Sequence, residues 1–325
     1  MRKEKLNFGI VIRVFVSLLP ILFGMPTLAI ISCAYNLAMS FMVFGPLTAL
    51  VSSLCSICIS MFLSGSYGPA AELSGLVWAL QAILCSGGAI YGFLRKRKFS
   101  LGLSYATIGF LAPQFIYLQY SAHKEGITIA QALVPSMEEL KSLAAGFVAN
   151  TQPHIDSSVV DRILNITHTV ATMLIPSTLI VTSMVMSYIV LWAISAQMRK
   201  LPVGLVHSFS HIKVSRLTVL FATLSVVFIA VGLITSDKMI LAVALNMLVV
   251  LCAMCFFAGM SLVDFFARKF IPFTFIRLIL HAIISLNAFF VYIIIAFVDS
   301  FANFRKLPVI YKKRGEVNEA KERNA

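Results

Sequence analysis

Two pairs of cysteines stand at redox spacing, Cys55/Cys58 and Cys252/Cys255, with Cys33 and Cys85 apart from them. A Cys-x-x-Cys pair performs thiol–disulfide exchange at a water-facing helix end, where a dipole or a nearby cation favours the thiolate. Both pairs here lie inside apolar runs without a neighbouring His or charge. In such runs cysteine packs as a small apolar residue. A zinc site made from all four would need unlinked segments to converge, and the spacing gives that no support. The pairs are read as packing.

Arg277 and His281 are four residues apart and so share one helix face. A charge buried in lipid costs at least about 2.5 kcal/mol, which makes an ionisable group within an apolar run a candidate for function. Arg277 falls about one turn inside a run that begins near Phe273, where its side chain can snorkel to the headgroups. His281 falls about two turns deep and is the stronger candidate for a ligand or proton pathway. A neutral imidazole hydrogen-bonded to a neighbouring helix is the alternative. Asn246, Asn287, Gln81 and Gln114 are uncharged and mid-run. Interhelical hydrogen bonds of about 0.6 kcal/mol are their usual employment, and contact with a ligand is the other. The candidate ligand-binding set is therefore His281, Arg277, Asn246, Gln81 and Gln114, with no catalytic residues, no metal and no cofactor assigned. No Gly-rich phosphate loop, H-E-x-x-H or G-x-S-x-G stands in the chain.

The elements that position these residues follow from composition. Of 325 residues 59% are hydrophobic and 12% charged, with mean hydropathy +0.93. A water-soluble domain of that make-up would leave large apolar areas facing water. In lipid only helices or closed barrels satisfy the backbone, and a barrel alternates apolar and polar residues. Here the apolar runs are unbroken and about 20 residues long, the length of a membrane-crossing helix. The fold class is all-α, a polytopic transmembrane bundle of eight or nine membrane segments. The net charge of +13 comes from Lys and Arg clustered beside apolar runs, which orients helices in a bilayer and gives no sign of nucleic acid as a partner.

Candidate spans are 8–24, 27–45, 47–63, 74–94, 101–120, 169–197, 217–235, 239–262 and 273–298. Arg13 interrupts the first run, which is read as a membrane helix and not as a cleaved leader. Gly45-Pro46 marks a tight connection, and Ser64 to Pro69 a loop. The run Arg95-Lys96-Arg97-Lys98 belongs on the cytoplasmic side, which puts the N-terminus inside after four crossings. Segment 121–168, with three Lys or Arg and five Asp or Glu, then lies outside. Ser136 followed by Glu138 and Glu139 opens a short amphipathic helix carrying Leu140, Leu143, Ala144, Phe147 and Val148. Asp156 caps a second, with Val159, Val160, Ile163 and Ile166, and both are expected to lie on the outer surface. Arg199, Lys200, Lys213 and Arg216 return the chain inside.

The last third is contradictory. Two more spans end inside near Arg268 and Lys269, so a crossing by 273–298 would put the tail outside. That tail carries Arg305, Lys306, Lys312, Lys313 and Arg314, which argue for inside. Either 273–298 is a hairpin of two half-spans, or one earlier run does not cross. Gly88-x-x-x-Gly92 with Ser86 signals close helix packing, with a dimer face as the lesser reading. The organisation is a six-span block over 1–197, further membrane helices over 198–308, and a polar cytoplasmic tail over 309–325.

The order of features resembles the YybS-like family of bacterial membrane proteins. The resemblance rests on the basic loop after the fourth span, the long outer loop, and Leu174-Ile175-Pro176-Ser177-Thr178-Leu179. It also rests on Phe265-Phe266-Ala267-Arg268-Lys269 and the ending Val298-Asp299-Ser300-Phe301-Ala302-Asn303-Phe304-Arg305-Lys306. The family's ending is typically Asp-Ser-aromatic-x-(Asp/Asn)-aromatic-Arg, and here Asn303 stands for the more usual acid. The first six spans of that family are distantly similar to the substrate-capture subunits of energy-coupling-factor transporters. The resemblance implies a bacterial plasma-membrane location and a small-molecule binding or transport role. Those subunits carry small residues at four-residue spacing on their first helix to dock a partner. This chain has Arg13, Ser17 and Ile21 there, and its nearby Ala-x-x-x-Ala is Ala34 to Ala38 in the second span. The expected function is a non-catalytic membrane component that binds or transports a small molecule. The alternative is a scaffold or regulator of another membrane complex. The expected partners are the lipid bilayer, a small-molecule ligand and a membrane protein.

Overall fold

The computed structural model describes residues 8–65, 71–92, 99–142, 157–198 and 212–305, and every regular element among them is a helix. Helix α1 (Phe8–Leu18) continues as a 3-10 turn (Leu19–Phe23), and α2 (Pro26–Phe44), α3 (Pro46–Gly65), α4 (Ala71–Tyr91) and α5 (Phe99–Glu125) follow. A short α6 (Ile129–Leu133) precedes α7 (Ser157–Met198), α8 (Arg216–Thr235), α9 (Lys238–Phe270) and α10 (Thr274–Ala302). Eight of these helices, α2 to α5 and α7 to α10, are long and apolar enough to cross a membrane, and the run Ile12–Phe23 in α1 and its 3-10 turn is a shorter apolar helix. The molecule is an all-α polytopic membrane bundle. The basic run 95–98, the apolar face 143–148, the cap at Asp156 and the tail beyond Arg305 lie outside the described residues.

Local chemistry sets the boundaries. Proline occupies the first position of α2 and α3, where its missing N–H has no helical partner to lose. Gly45 between them adopts φ 94°, which a side chain would resist, so the tight connection read at Gly45-Pro46 is present. The side chain of Asp237 accepts hydrogen bonds from the N–H groups of Met239 and Ile240 and opens α9. Ser136 and Glu139 exchange reciprocal backbone and side-chain bonds at 2.8 and 3.2 Å, the helix start expected there.

One expectation is corrected. The amphipathic piece after Asp156 and the span 169–197 are one helix of 42 residues, about 63 Å long. No glycine interrupts 157–198, and its single proline is accommodated as described below, so nothing ends the helix at the membrane surface.

Buried apolar side chains form two clusters. The larger joins α1 to α5 with α7 around Leu18, Leu37, Phe110 and Leu191, and the smaller joins α8, α9 and α10 around Val219, Ala258 and Ala296. Small residues allow the close approaches in the first. Gly88 and Gly92 face the backbone of α5 at Tyr105 and Gly102, so that pair packs within the chain. Ser52, Ser56, Ser60 and Ser64, spaced i, i+4, form a fully buried stripe along α3. Ala34 and Ala38 are also fully buried, so the one Ala-x-x-x-Ala near the N-terminus is used internally.

Helix α10 folds back on itself. Its backbone leaves the helical region at Ala288 (φ −148°, ψ 44°). In a straight helix residues 281 and 292 would be about 16 Å apart along the axis. Instead the rings of His281 and Tyr292 have centroids 5.9 Å apart and share a hydrogen bond of 2.8 Å. The start of α10 follows the end of α9 directly, and its end also returns there. Lys213 Nζ, just before α8, donates to Asn303 Oδ1 at 3.0 Å, and Arg305 donates to Ser261 of α9 at 3.0 Å. Each half, 274–287 and 289–302, is about 21 Å long, short of the ~30 Å hydrocarbon core. The fold-back at Ala288 gives α10 the shape of a hairpin of two half-spans, one of the two arrangements left open by the sequence.

Candidate functional site at the folded-back helix

The fold-back gathers polar groups that no linear stretch holds together. Asp264, six residues before the end of α9 and thus about 9 Å inside it, is buried. Its carboxylate receives two guanidiniums: Arg268 at 2.7 Å, one turn along the same helix, and Arg277 at 3.2 Å, from α10. Arg277 also donates to the carbonyl of Ile271 at 3.2 Å, where the dipole of α9 favours a cation. The expected snorkelling of Arg277 is therefore corrected. Its side chain is 7% exposed and points to a carboxylate, because the turn 271–273 sets α10 against α9 at that depth.

One turn further up α10, His281 is 6% exposed. The Tyr292 hydroxyl lies 2.8 Å from its Nδ1, and its Nε2 is buried without a hydrogen-bond partner among the described residues. Tyr292 is fully buried because Gly259 of α9 leaves room for its backbone; a Cβ at 259 would collide with the carbonyl of Tyr292. Phe256 packs edge-on to Tyr292, and Phe257 lies against Tyr188 of α7. Tyr188 is within electrostatic reach of Asp264, Arg268 and Tyr292. Three helices thus supply Tyr188, Asp264, Arg268, Arg277, His281 and Tyr292 to one place.

A second ion pair anchors the end of the hairpin. Arg305 binds Asp299 at 2.8 Å with both side chains at most 2% exposed, and donates to Ser261 Oγ, which also accepts from the Ile212 N–H at 3.1 Å. Asp299 caps the turn by accepting from the Phe304 N–H. Asn303 adopts a left-handed conformation (φ 50°, ψ 53°) that Asn tolerates better than most residues. The string from Asp299 to Arg305 is the lock that returns the chain to α9.

The other candidates lie elsewhere. Pro176 removes a donor from α7, and Asn246 of α9 fills the gap. Asn246 Oδ1 accepts from the Ser177 N–H at 2.8 Å and its Nδ2 donates to the Met173 carbonyl at 2.6 Å, bridging the i to i−4 rung beside the proline. The second Nδ2 proton goes to Ala242 O at 2.7 Å, so the amide's donors are both used on backbone. Gln81 of α4 donates to the carbonyl of Phe110 at 3.1 Å and to Gln114 at 3.2 Å, close to Pro113 of α5. Asn287, next to the break in α10, is exposed and donates to its own helix at Ile283. The five predicted ligand residues therefore fall in three places, and His281 and Arg277 share one of them.

Asp264, Tyr292 and Tyr188 are missing from the predicted set. A lone acid in a 33-residue apolar helix, four before an arginine, is a signal for Asp264. Tyr188 and Tyr292 carry no such signal, since only the fold brings them to the cluster. All six cysteines are free, with Cys33, Cys85 and Cys255 buried.

No curated protein and no solved structure matches this chain. A family model matches residues 14–300, from within α1 to the last turn of α10. The chain therefore belongs to the family described as Predicted membrane protein (DUF2232).

Proposed function

We propose that the protein is a non-catalytic component of a bacterial plasma membrane that binds or transports a small ligand at the cluster between α7, α9 and the hairpin. The observation that carries this reading is a buried Asp–Arg–His–Tyr group on a folded-back half-helix. Ionisable groups within the bilayer mark ligand or ion pathways. Broken helices at that depth are tolerated where they are covered by protein or line water, and transporters place their sites at such breaks. The resemblance to the YybS-like family, and of its first six spans to transporter substrate-capture subunits, supports the same reading. The absence of their small-residue docking stripe argues against the same coupling partner. With the N-terminus and loop 198–216 cytoplasmic, the shorter α1 with its 3-10 turn crosses together with α2 to α5 and α7 to α9, which makes eight crossings. The hairpin then opens from the inner side, and the basic tail is cytoplasmic.

A ligand site must open to water. His281→Cys, in a chain otherwise free of cysteine, should react with a small charged thiol reagent in membrane vesicles whose inner face is accessible. A thiol there that stays unreactive while one at 269 reacts would contradict the reading. A second reading, a scaffold for another membrane protein, is favoured by the hairpin tip. Leu286, Phe289 and Phe290 are 85%, 56% and 53% exposed beside a broken backbone that lipid cannot satisfy. A partner seated there would shield a thiol at 287 in native membranes and expose it on purification.

A further inference from the structure

We propose that the corner between the start of α8 and the returning end of α10 docks one anionic phospholipid, its headgroup on Lys213 and Arg216 and its acyl chains along the two helices. This surface is separate from the ligand cluster and uses none of its guanidiniums.

Lys213 and Arg216 both rest on the end of α10, against neutral groups. Lys213 Nζ donates to Asn303 Oδ1 at 3.0 Å, and the Arg216 guanidinium lies over the Phe301 ring, 6.0 Å from its centroid. Over 212–305 the sequence holds three acids, Asp237, Asp264 and Asp299. Asp264 is paired with Arg268 and Arg277, Asp299 is paired with Arg305, and Asp237 caps α9 at the far end of α8. The remaining ion pair among the described residues, Lys141 with Asp161, belongs to other elements. Neither Lys213 nor Arg216 therefore has an acidic partner among the described residues. Arg216 is exposed and Lys213 half-buried, so both charges face outward to an anion.

The neighbouring apolar surface selects the kind of anion. Leu217, Leu220 and Leu224 of α8 are exposed at i, i+3, i+7, and Ile294, Phe297 and Phe301 of α10 are exposed at the same spacing. The rings of Phe297 and Phe301 have centroids 5.8 Å apart, which keeps them on one face. Helix α8 starts at this corner and α10 ends there, so each stripe leads away from the cations for about 10 Å. A soluble anion would meet the two cations and leave the stripes bare. A phospholipid meets the cations with its phosphate and the stripes with its chains. A zwitterionic headgroup brings its own cation, whereas phosphatidylglycerol does not, and each Lys or Arg at the surface favours an anionic lipid by about fivefold.

The test uses the full chain in nonionic detergent at fixed low ionic strength, with its unfolding midpoint followed as phosphatidylglycerol, phosphatidylcholine or glycerol phosphate is added. Phosphatidylglycerol should raise the midpoint saturably, and the other two should not. Arg216→Gln should raise the half-saturating phosphatidylglycerol about fivefold, and the double variant with Lys213→Gln about thirtyfold. Lys238→Gln, exposed at the opposite end of α8, should leave it unchanged, which separates docking at this corner from a general attraction between a basic protein and acidic micelles. If the double variant does not fold, Arg216→Gln decides alone. No response to phosphatidylglycerol, an equal response to phosphatidylcholine, or a half-saturating value unchanged in Arg216→Gln overturns the proposal. So does a shift in Lys238→Gln as large as that in Arg216→Gln. Saturable stabilisation by glycerol phosphate that Arg216→Gln weakens would assign the corner to a soluble anion and overturn the lipid.

Discussion

Replacing Asn246 tests whether one amide mends a proline break. In the structure this side chain bonds Ser177 N–H and Met173 carbonyl across the interface of α7 and α9. Asn246→Leu removes both bonds at similar volume. Interhelical hydrogen bonds in membranes average about 0.6 kcal/mol each, giving roughly 1.2 kcal/mol for two. Leaving Ser177 N–H and Met173 carbonyl without this partner adds a further penalty, since an unmet buried polar group costs about 1–3 kcal/mol. The expected loss is about 2 kcal/mol or somewhat more. The decisive comparison is in a Pro176→Ala background. There α7 can close its own rungs at 176 and 177, so Asn246→Leu should cost less than about 1 kcal/mol, a coupling of at least ~1 kcal/mol. Reversible unfolding in mixed micelles, run as a double-mutant cycle, measures it. Equal costs in the two backgrounds would show that Asn246 does not serve the break and would return it to the ligand candidates.

Three further outcomes are expected. Asp264→Leu should cost about 3–5 kcal/mol by taking the carboxylate away from the buried Arg277 guanidinium, while the double change with Arg277→Leu should recover most of it; a purely additive double variant contradicts the pair at 3.2 Å. Gly259→Ala should lower stability by about 1–3 kcal/mol, because its Cβ meets the Tyr292 carbonyl; an unfolding midpoint equal to wild type contradicts the close approach of α9 and α10. The denatured wild type should titrate six thiols without reductant, and exchanging Cys55, Cys58, Cys252 and Cys255 for Ala should leave expression and insertion near wild type. Fewer than six thiols, or selective loss of function in a well-inserted variant, would revive a redox role.

Much of the fold was legible because lipid simplifies the code. An unbroken apolar run must be a helix, and its length gives the crossing. Arg305 and its neighbours conflict with a ninth crossing, and the break that would remove the conflict falls at Ala288, a residue with no breaking signature of its own. The extent of α7 was not legible, since a polar stretch such as Asp161–Arg162 suggests an end where the backbone chemistry does not require one. The site was half legible. Ionisable residues stand out within a run, as Arg277 and His281 did. Their partners Asp264 and Tyr292 lie 13 and 11 residues away on segments that only a fold-back brings together. Asn246 and Gln81 stood out for the same polar reason, yet their amides meet backbone carbonyls near prolines.

The central claim is that α10 enters the membrane and returns to the side it came from. Single thiols at Ser236, Lys269 and Phe304, in a chain otherwise free of cysteine, test it most directly with an impermeant reagent applied to intact cells and to inverted vesicles. Thiols at 269 and 304 should label together from the inner side and the thiol at 236 from the outer. A thiol at 304 that labels with 236 would make α10 a full crossing and dissolve the cluster built on its return.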